Sequence, residues 1–161
     1  MIIVDTNVLI DVMNNDPLWS DWSDYQLTLQ AQVHELVINE VIYAELSVAF
    51  RSIEVLHQKI VALDLELYDL SDVALFMAGK AFGEYRRRGG PRKSLLPDFF
   101  IGAHAAAMNC RILTRDPGRF RTYFPAVELI TPETDRGFSV HEPVARYEVG
   151  SEAPTCRWTS M

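Results

Sequence analysis

The sequence predicts an α/β fold, a three-layer α/β/α sandwich around a parallel sheet of about four or five short strands. One observation is a set of short β-branched apolar runs without polar alternation, such as residues 2–4 and 36–38, which is typical of strands buried on both faces. Another is that stretches with helical spacing of apolar residues separate these runs, as crossover connections between parallel strands require. A third is that Asp5 and Asp116 come soon after the ends of two such runs.

Two helices are predicted between the first two strands. The Asp-Thr-Asn sequence at residues 5–7 favours a turn out of the first strand and the start of a short helix, which an Asn-Asn-Asp-Pro break at residues 14–17 ends. Aromatic residues at positions 19, 22 and 25 then recur at helical spacing, which predicts a helix to about Val33. Because this helix is early and surface-facing, we expect its aromatic stripe to help form a homodimer contact.

Capping and helix-breaking residues mark the remaining elements. Asn39 is a good N-cap, Ser71 or Asp72 is another, and the Gly-Gly-Pro sequence at residues 89–91 ends a helix. The further helices are predicted at residues 40–50, 51–63 and 73–88 and from Pro97 onward, and the further strands at residues 67–70, 111–114 and 127–130. The stretch at 67–70 also fits an extended link.

Length and composition predict one domain and a tail. With 161 residues, of which 48% are hydrophobic, the chain can bury one good core and is too short for two large domains. We expect a domain over residues 1–131 and, because proline and glycine interrupt every later pattern, a C-terminal tail over residues 132–161.

The sequence also predicts the cellular location of the protein. No apolar stretch approaches the roughly 20 residues that cross a bilayer, and no basic region precedes the first apolar run. We therefore expect no membrane association and a cytoplasmic protein. Cys110 and Cys156 have neither metal-ligand nor disulfide spacing, so we expect two reduced thiols.

The charge is distributed unevenly. The net charge of −7 argues against a protein that coats nucleic acid by bulk attraction. Residues 80–93, however, carry six basic residues against one acid, a local charge of +5. One basic patch on an acidic body favours a phosphate-bearing partner held at one place, although cations at residues 86–88 also suit a solvated helix end.

Asp5 and Asp116 are expected to lie at one edge of the sheet. Each follows a predicted strand, and the carboxyl ends of parallel strands lie on the same side, where ligands bind in open α/β sheets. Taken alone, Asp5 is equally well explained as a cap or turn residue.

Two further acids lie on predicted helices. Glu45 shares its helix face with residues 41, 42, 48 and 49, so its carboxylate projects from an apolar stripe. A lone charge there is costly unless paired, which leaves a metal ligand, a salt bridge to an arginine, or a frayed or rotated helix that exposes Glu45. Asp98 lies in the first turn of the helix from Pro97, where capping alone could explain a carboxylate. Small residues at 102, 103 and 105–107 predict that this helix packs closely, with its N-terminus near the functional edge.

Four motifs in this order and spacing resemble the PIN-domain family and, within it, the VapC toxins of bacterial toxin-antitoxin pairs. They are Val-Asp-Thr-Asn-Val-Leu-Ile-Asp at 4–11, Leu-Val-Ile-Asn-Glu-Val-Ile-Tyr-Ala-Glu-Leu-Ser at 36–47, Pro-Asp-Phe-Phe-Ile-Gly-Ala-His-Ala at 97–105, and Ile-Leu-Thr-Arg-Asp-Pro at 112–117 running into Arg-Phe-Arg-Thr-Tyr-Phe-Pro at 119–125. The resemblance covers residues 2 to about 131. The second motif usually has proline where this chain has Glu40, a first-turn change that should leave Glu45 in place.

The resemblance implies a metal-dependent ribonuclease and its site. The family's acidic quartet corresponds to Asp5, Glu45, Asp98 and Asp116. Thr114 matches the small hydroxyl residue that accompanies the last acid, and Asn7 matches a polar position beside the first. The resemblance also implies a VapB-like antitoxin that lies over the acidic site, often bringing an arginine to the carboxylates, and binds operator DNA with its other end.

The residue types agree with that chemistry. Four close carboxylates raise one another's pKa values, so the site needs a cation, and oxygen-only ligands favour Mg²⁺ or Mn²⁺ over zinc. We predict hydrolysis of RNA phosphodiester bonds by metal-activated water. Asp5 and Asp98 are expected as metal ligands, Glu45 as a ligand or water-orienting base, and Asp116 as a ligand directly or through water. The residues expected to guide the RNA backbone are Arg86, Arg87, Arg88, Arg92 and Lys93.

Two other functions fit parts of the pattern. A haloacid-dehalogenase-type phosphatase also has an aspartate after its first strand and binds Mg²⁺, but it requires a second aspartate two residues later, where this chain has Asn7. A non-catalytic module that binds RNA or a partner protein could retain the fold and the acids.

Overall fold

A computed structural model describes residues 1–91 and 96–134 and contains a five-stranded parallel sheet. The strands are β1 (Ile2–Val4), β2 (Leu36–Asn39), β3 (Leu65–Tyr68), β4 (Arg111–Leu113) and β5 (Leu129–Ile130). The helices are α1 (Thr6–Met13), α2 (Ser20–Ala31), α3 (Glu40–Ser47), α4 (Ile53–Ala62), α5 (Asp72–Arg87), α6 (Leu96–Met108) and α7 (Gly118–Tyr123).

The sheet has the order β3-β2-β1-β4-β5, and all neighbouring strands are parallel. The chain extends the sheet on one side of β1 with β2 and β3 and then returns to add β4 and β5 on the other side. Parallel strands are almost always joined by right-handed crossovers, which in these two directions place helices on both faces, in agreement with the predicted α/β/α sandwich. Every residue of β1 and β2 is buried, as their β-branched runs predict.

Two predicted element boundaries were wrong. Strand β3 begins at Leu65, two residues before the predicted stretch, because buried Leu65 pairs with Leu36 while Leu67 is half exposed at this edge strand. Helix α3 ends at Ser47, and Val48 is 88% exposed. The predicted apolar stripe around Glu45 therefore does not extend to Val48 and Ala49.

The predicted caps and the close packing of α6 are present. The Asn39 side chain accepts hydrogen bonds from Val41 N and Ile42 N at the start of α3, and Ser71 accepts from Ala74 N at the start of α5. A Cβ atom placed on Gly102 would lie 2.2 Å from the Phe124 ring, so α6 lies directly against that side chain.

The aromatic residues of α2 divide between core and surface. Trp22 is fully buried, Trp19 meets it edge-on at a centroid distance of 6.4 Å, and Tyr25 is about half exposed. The expected homodimer contact at this stripe stays a prediction.

Several predictions concern residues outside the described ranges. Arg92 and Lys93 lie outside them, as do Cys156 and residues 135–161 of the predicted tail. Cys110 is a free, half-buried thiol. No helix in the described part of the chain combines the length and the apolar character that crossing a membrane demands.

Candidate active site

The acid after β1 lies against the end of β4. The two strands pair in parallel, with Val4 opposite Leu113, and Asp5 N donates a 3.0 Å hydrogen bond to Leu113 O. Asp5 occupies the N-cap position of α1, but its side chain makes no capping hydrogen bond. Its carboxylate instead points toward the residues that follow β4, so the capping explanation does not account for it.

Thr114 and Asn7 hold the Asp5 carboxylate. Thr114 Oγ1 donates to Asp5 Oδ2 at 2.7 Å, and Asn7 Nδ2 donates to the same oxygen at 2.6 Å. Thr114 Oγ1 also accepts from Asp116 N at 3.1 Å, and Asn7 Oδ1 accepts from Arg115 N at 3.3 Å. The residues after β4 are thereby attached to the first acid through one hydroxyl and one amide group.

Glu45 reaches the same region from α3. Its carboxylate is half buried, and Thr6 Oγ1 donates to Glu45 Oε2 at 2.5 Å. The neighbour of Asp5 in sequence is thus the hydrogen-bond partner of the second acid. The donor to this carboxylate is thus a threonine hydroxyl and not the arginine of the alternative explanation.

Asp98 lies in the first turn of α6, as predicted. Its Oδ2 atom accepts a hydrogen bond from Arg119 Nη1, and the two groups form an ion pair. Arg119 belongs to α7, which brings a positive charge to the acidic site. Nothing in the sequence pattern indicated this contact, because the direction of Arg119 depends on how the short helix α7 packs.

The four predicted acids line one cleft. Asp116 is exposed at its rim, whereas Asp5 is 5% exposed. The cleft has a volume of about 290 Å³ and is lined by Asp5, Thr6, Asn7, Ile10, Glu45, Asp98, Arg115 and Asp116. The sequence-predicted acids therefore come together at the carboxyl edge of the sheet.

Burial and mutual repulsion perturb two of these acids. Loss of solvent raises the pKa of Asp5 to about 7, and the negative charges of Asp98 and Glu45 add to that rise although the Thr114 hydroxyl opposes it. Burial also raises the pKa of Glu45, against the effect of the Thr6 hydrogen bond and with a further contribution from Asp98. A cation in the cleft would favour the ionised forms of both groups.

The donor set fits a hard divalent cation by its chemistry. The polar side chains that line the cleft offer carboxylate, hydroxyl and amide oxygens, which are the ligands that Mg²⁺ and Mn²⁺ prefer. Within residues 1–91 and 96–134, however, no three acidic, histidine or cysteine side chains approach closely enough to hold a metal ion as they stand. Asp98 pairs with Arg119 and Glu45 accepts from Thr6, so a cation would compete with these contacts for the two carboxylates.

A partly buried ion pair beside the cleft did not follow from the sequence pattern. Asp11 is 1% exposed, and its Oδ2 atom lies 2.8 Å from Arg115 Nε and accepts from Ser23 Oγ at 3.1 Å. The Arg115 guanidinium also lies 5.7 Å from the centre of the Trp19 ring. Asp11 follows Ile10 in an apolar helix, so the argument applied to Glu45 could have identified it.

The basic end of α5 reaches an aromatic cluster next to Asp98. Phe99 follows Asp98 and lies 5.5 Å from Tyr85 and 5.1 Å from Tyr123, measured between ring centres. The Arg88 guanidinium lies 5.8 Å from the centre of the Tyr123 ring and forms an exposed ion pair with Glu84. Arg88 therefore contacts Tyr123, whose ring packs against Phe99, the neighbour of Asp98 in the sequence.

Comparisons with known proteins agree on the fold. A family model described as PIN domain matches residues 2–124. VapBC2 from Rickettsia felis bound to a promoter DNA fragment is 24% identical, with a TM-score of 0.64 and coverage of 81% of this chain and 98% of that chain. A Klebsiella pneumoniae toxin-antitoxin complex is 21% identical, with a TM-score of 0.60 and coverage of 82% and 98%. DNA-bound VapBC from Salmonella typhimurium is 20% identical, with a TM-score of 0.60 and coverage of 81% and 96%. No curated protein matches the sequence significantly.

Proposed function

The chain belongs to the PIN domain family, and from this membership we propose that it is a metal-dependent endoribonuclease, the VapC-like toxin of a toxin-antitoxin pair. The observation that carries the proposal is the convergence of Asp5, Glu45, Asp98 and Asp116 on one cleft. A structural role does not explain four carboxylates there, because their repulsion and the burial of Asp5 oppose ionisation.

The proposed cofactor is Mg²⁺, with Mn²⁺ as a substitute. When bound, such an ion supplies an acidified water and neutralises charge on the phosphate as the P–O bond breaks. Asp5 and Asp98 would hold it directly, Glu45 would bind it or orient the water, and Asp116 at the rim would bind it directly or through water.

The supporting residues fix the positions of these acids. Thr114 and Asn7 both donate to Asp5 Oδ2, so this oxygen is oriented before any ligand arrives. Thr6 donates to Glu45 and orients the carboxylate that would accept a proton from the water. Pre-oriented groups lose little freedom when the substrate binds, which lowers the barrier to reaction.

The proposed substrate is RNA, guided to the cleft by positive charge. Arg86, Arg87 and Arg88 lie at the end of α5, and Arg88 contacts Tyr123 beside the acidic site. Together with Arg92 and Lys93, they would offset the repulsion between the acids and the phosphate backbone. Replacement of Arg86 and Arg87 by glutamine should weaken RNA binding and reduce its salt dependence, and an unchanged salt dependence would remove both residues from the RNA path.

The proposed protein partners are a VapB-like antitoxin and a second copy of the chain. Three of the similar structures are described as VapBC or toxin-antitoxin complexes. An acidic cleft suits an arginine from such a partner. Sedimentation of the isolated chain tests the dimer, and a strictly monomeric species at micromolar concentration would contradict it.

The central test is cleavage of total bacterial RNA by partner-free protein in Mg²⁺ and in Mn²⁺. Wild-type protein should produce discrete RNA fragments, and these should be absent with the Asp98→Asn variant and in an EDTA control. The matched control is Asp72→Asn, since Asp72 also lies in the first turn of a helix but outside the cleft. No cleavage by folded wild-type protein that binds the metal would refute the ribonuclease proposal and favour the non-catalytic binding module.

A further inference from the structure

Two arginines contact the candidate site, and their partners differ. Arg115 lines the cleft, but its guanidinium is paired with Asp11, a buried carboxylate outside the acidic quartet. Arg119 is paired with Asp98, a member of the quartet. The side chains of Arg119 and Asp98 are 40% and 25% exposed, so solvent reaches both groups. The Arg119 ion pair is therefore the more accessible of the two.

The Arg119 contact occupies a proposed metal ligand. The Arg119 guanidinium donates a hydrogen bond to Asp98 Oδ2 and partly neutralises its charge. The carboxylate is therefore less available to coordinate a cation. Arg119 and a divalent ion therefore compete for the same group.

We propose that Arg119 is an exchangeable counter-ion, which pairs with Asp98 without metal, is displaced when a divalent cation binds, and then contacts the RNA phosphate. The inference rests on the proposed metal-dependent ribonuclease function. Displacement leaves an arginine at an accessible position beside the acids. A planar guanidinium matches two phosphate oxygens, so the released side chain has the chemistry to hold the backbone of the substrate.

The same helix provides a matched control. Arg121 lies two residues from Arg119 on α7, carries the same charge, and pairs with exposed Glu133 at 2.8 Å. Neither arginine is among the residues that line the acidic cleft, and Arg119 reaches it through its ion pair with Asp98. Substitution of either arginine by glutamine removes one positive charge from α7, but only Arg119→Gln removes the competitor for Asp98.

Calorimetric titration of metal-free protein with Mn²⁺ tests the exchange. Arg119→Gln should bind Mn²⁺ about two- to fivefold more tightly than wild type, as expected for loss of a partly exposed ion pair. Arg121→Gln should bind nearly as wild type does. Equal or weaker binding by Arg119→Gln would overturn the exchange, because a structural partner of Asp98 would strengthen the site rather than compete with it.

The outcomes separate this inference from the proposed function. If no form binds Mn²⁺, the metal-dependent function itself fails. If wild type binds and Arg119→Gln has the same affinity, only the exchange fails.

A second measurement tests the phosphate contact. Fluorescence anisotropy of a labelled single-stranded RNA in Ca²⁺, with a gel check that the RNA stays intact, compares the two variants. Arg119→Gln should weaken binding about threefold or more with Ca²⁺ present and have a smaller effect in EDTA, where Asp98 holds the arginine. An equal loss with and without the cation, or no loss, would overturn the contact.

Discussion

Thr114 Oγ1 donates a 2.7 Å hydrogen bond to Asp5 Oδ2 across 109 residues of sequence. The bond connects the carboxyl ends of β1 and β4, which are neighbours in the sheet. The same hydroxyl accepts from Asp116 N, so one small side chain fixes the positions of the first acid and of the backbone that carries the last. Parallel pairing of the two strands is what permits the contact.

Replacement of Thr114 tests this role. Thr114→Val removes the donor to Asp5, which should raise the pKa of that acid further and move the acid limb of the pH–activity profile to higher pH. It also leaves Asp116 N without its acceptor, so the free energy of unfolding should fall by about 1–3 kcal/mol. Thr114→Ser retains the hydroxyl and should change neither the pH–activity profile nor the free energy of unfolding. An unshifted pH profile for a folded Thr114→Val protein would contradict the assignment.

The stability of the metal-free protein should depend on the charge of Asp5. The pKa of Asp5 is raised from 3.8 to about 7 by burial, so between about pH 4 and pH 7 the folded state retains a proton that the unfolded state has lost. Stability should therefore decrease as pH rises through this window, by roughly 4 kcal/mol in total.

Urea unfolding of wild type and Asp5→Asn at several pH values measures this effect. The asparagine variant has no charge to bury, so its stability relative to wild type should increase with pH from 4 to 8. Asp116→Asn, at an exposed position, is the control and should leave the slope nearly unchanged. A pH-independent difference between wild type and Asp5→Asn would contradict the raised pKa.

Divalent metal should remove the cost of ionising Asp5. Because a metal at the proposed site would bind the ionised carboxylate, its affinity should increase as pH rises toward about 7 and level off above it. At a metal concentration of about 100 times Kd, the folded state should gain about 2.7 kcal/mol. Thermal unfolding with Mg²⁺ or Mn²⁺ measures the gain, which EDTA should reverse and Asp98→Asn should reduce. A stabilisation of equal size at pH 5 and pH 8 would show that the ion binds elsewhere.

The ion pair between buried Asp11 and partly exposed Arg115 should contribute to stability. Arg115→Ala leaves a carboxylate that is 1% exposed without its cation, which should lower the free energy of unfolding by about 2–4 kcal/mol. Asp11→Asn should lower the free energy of unfolding by less, since the amide oxygen can still accept a hydrogen bond from Ser23 Oγ. A double-mutant cycle measures the coupling, and strictly additive effects would show that the two groups act separately.

The sequence was most informative where a single strand or helix cap determines the position of a site residue. Ile2–Val4 and the Asn39 cap follow from local patterns, and together they place Asp5 at a strand end and Glu45 in the second turn of α3. The Arg119–Asp98 and Arg115–Asp11 pairs could not be predicted in this way, because each joins residues from separate helices or loops. Such contacts depend on tertiary packing, which the local periodicity of the sequence does not reveal.

The close approach of α6 to Phe124 gives a prediction about the scaffold of Asp98. Gly102→Ala would place a Cβ atom 2.2 Å from Phe124 Cδ2, so the ring or the helix must move. Overpacking of this kind should lower the free energy of unfolding by about 1–3 kcal/mol and, by displacing the helix that carries Asp98, should also reduce RNA cleavage.

Two comparisons separate this steric effect from helix propensity. Gly79→Ala on α5 meets no atom within 4 Å and should be neutral or stabilising, since alanine favours the helix. Phe124→Leu combined with Gly102→Ala should recover part of the loss, because the smaller side chain makes room for the added methyl group. Chemical denaturation and the RNA cleavage rate provide the two readouts. A Gly102→Ala protein as stable and active as wild type would show that α6 and Phe124 can separate without disturbing Asp98.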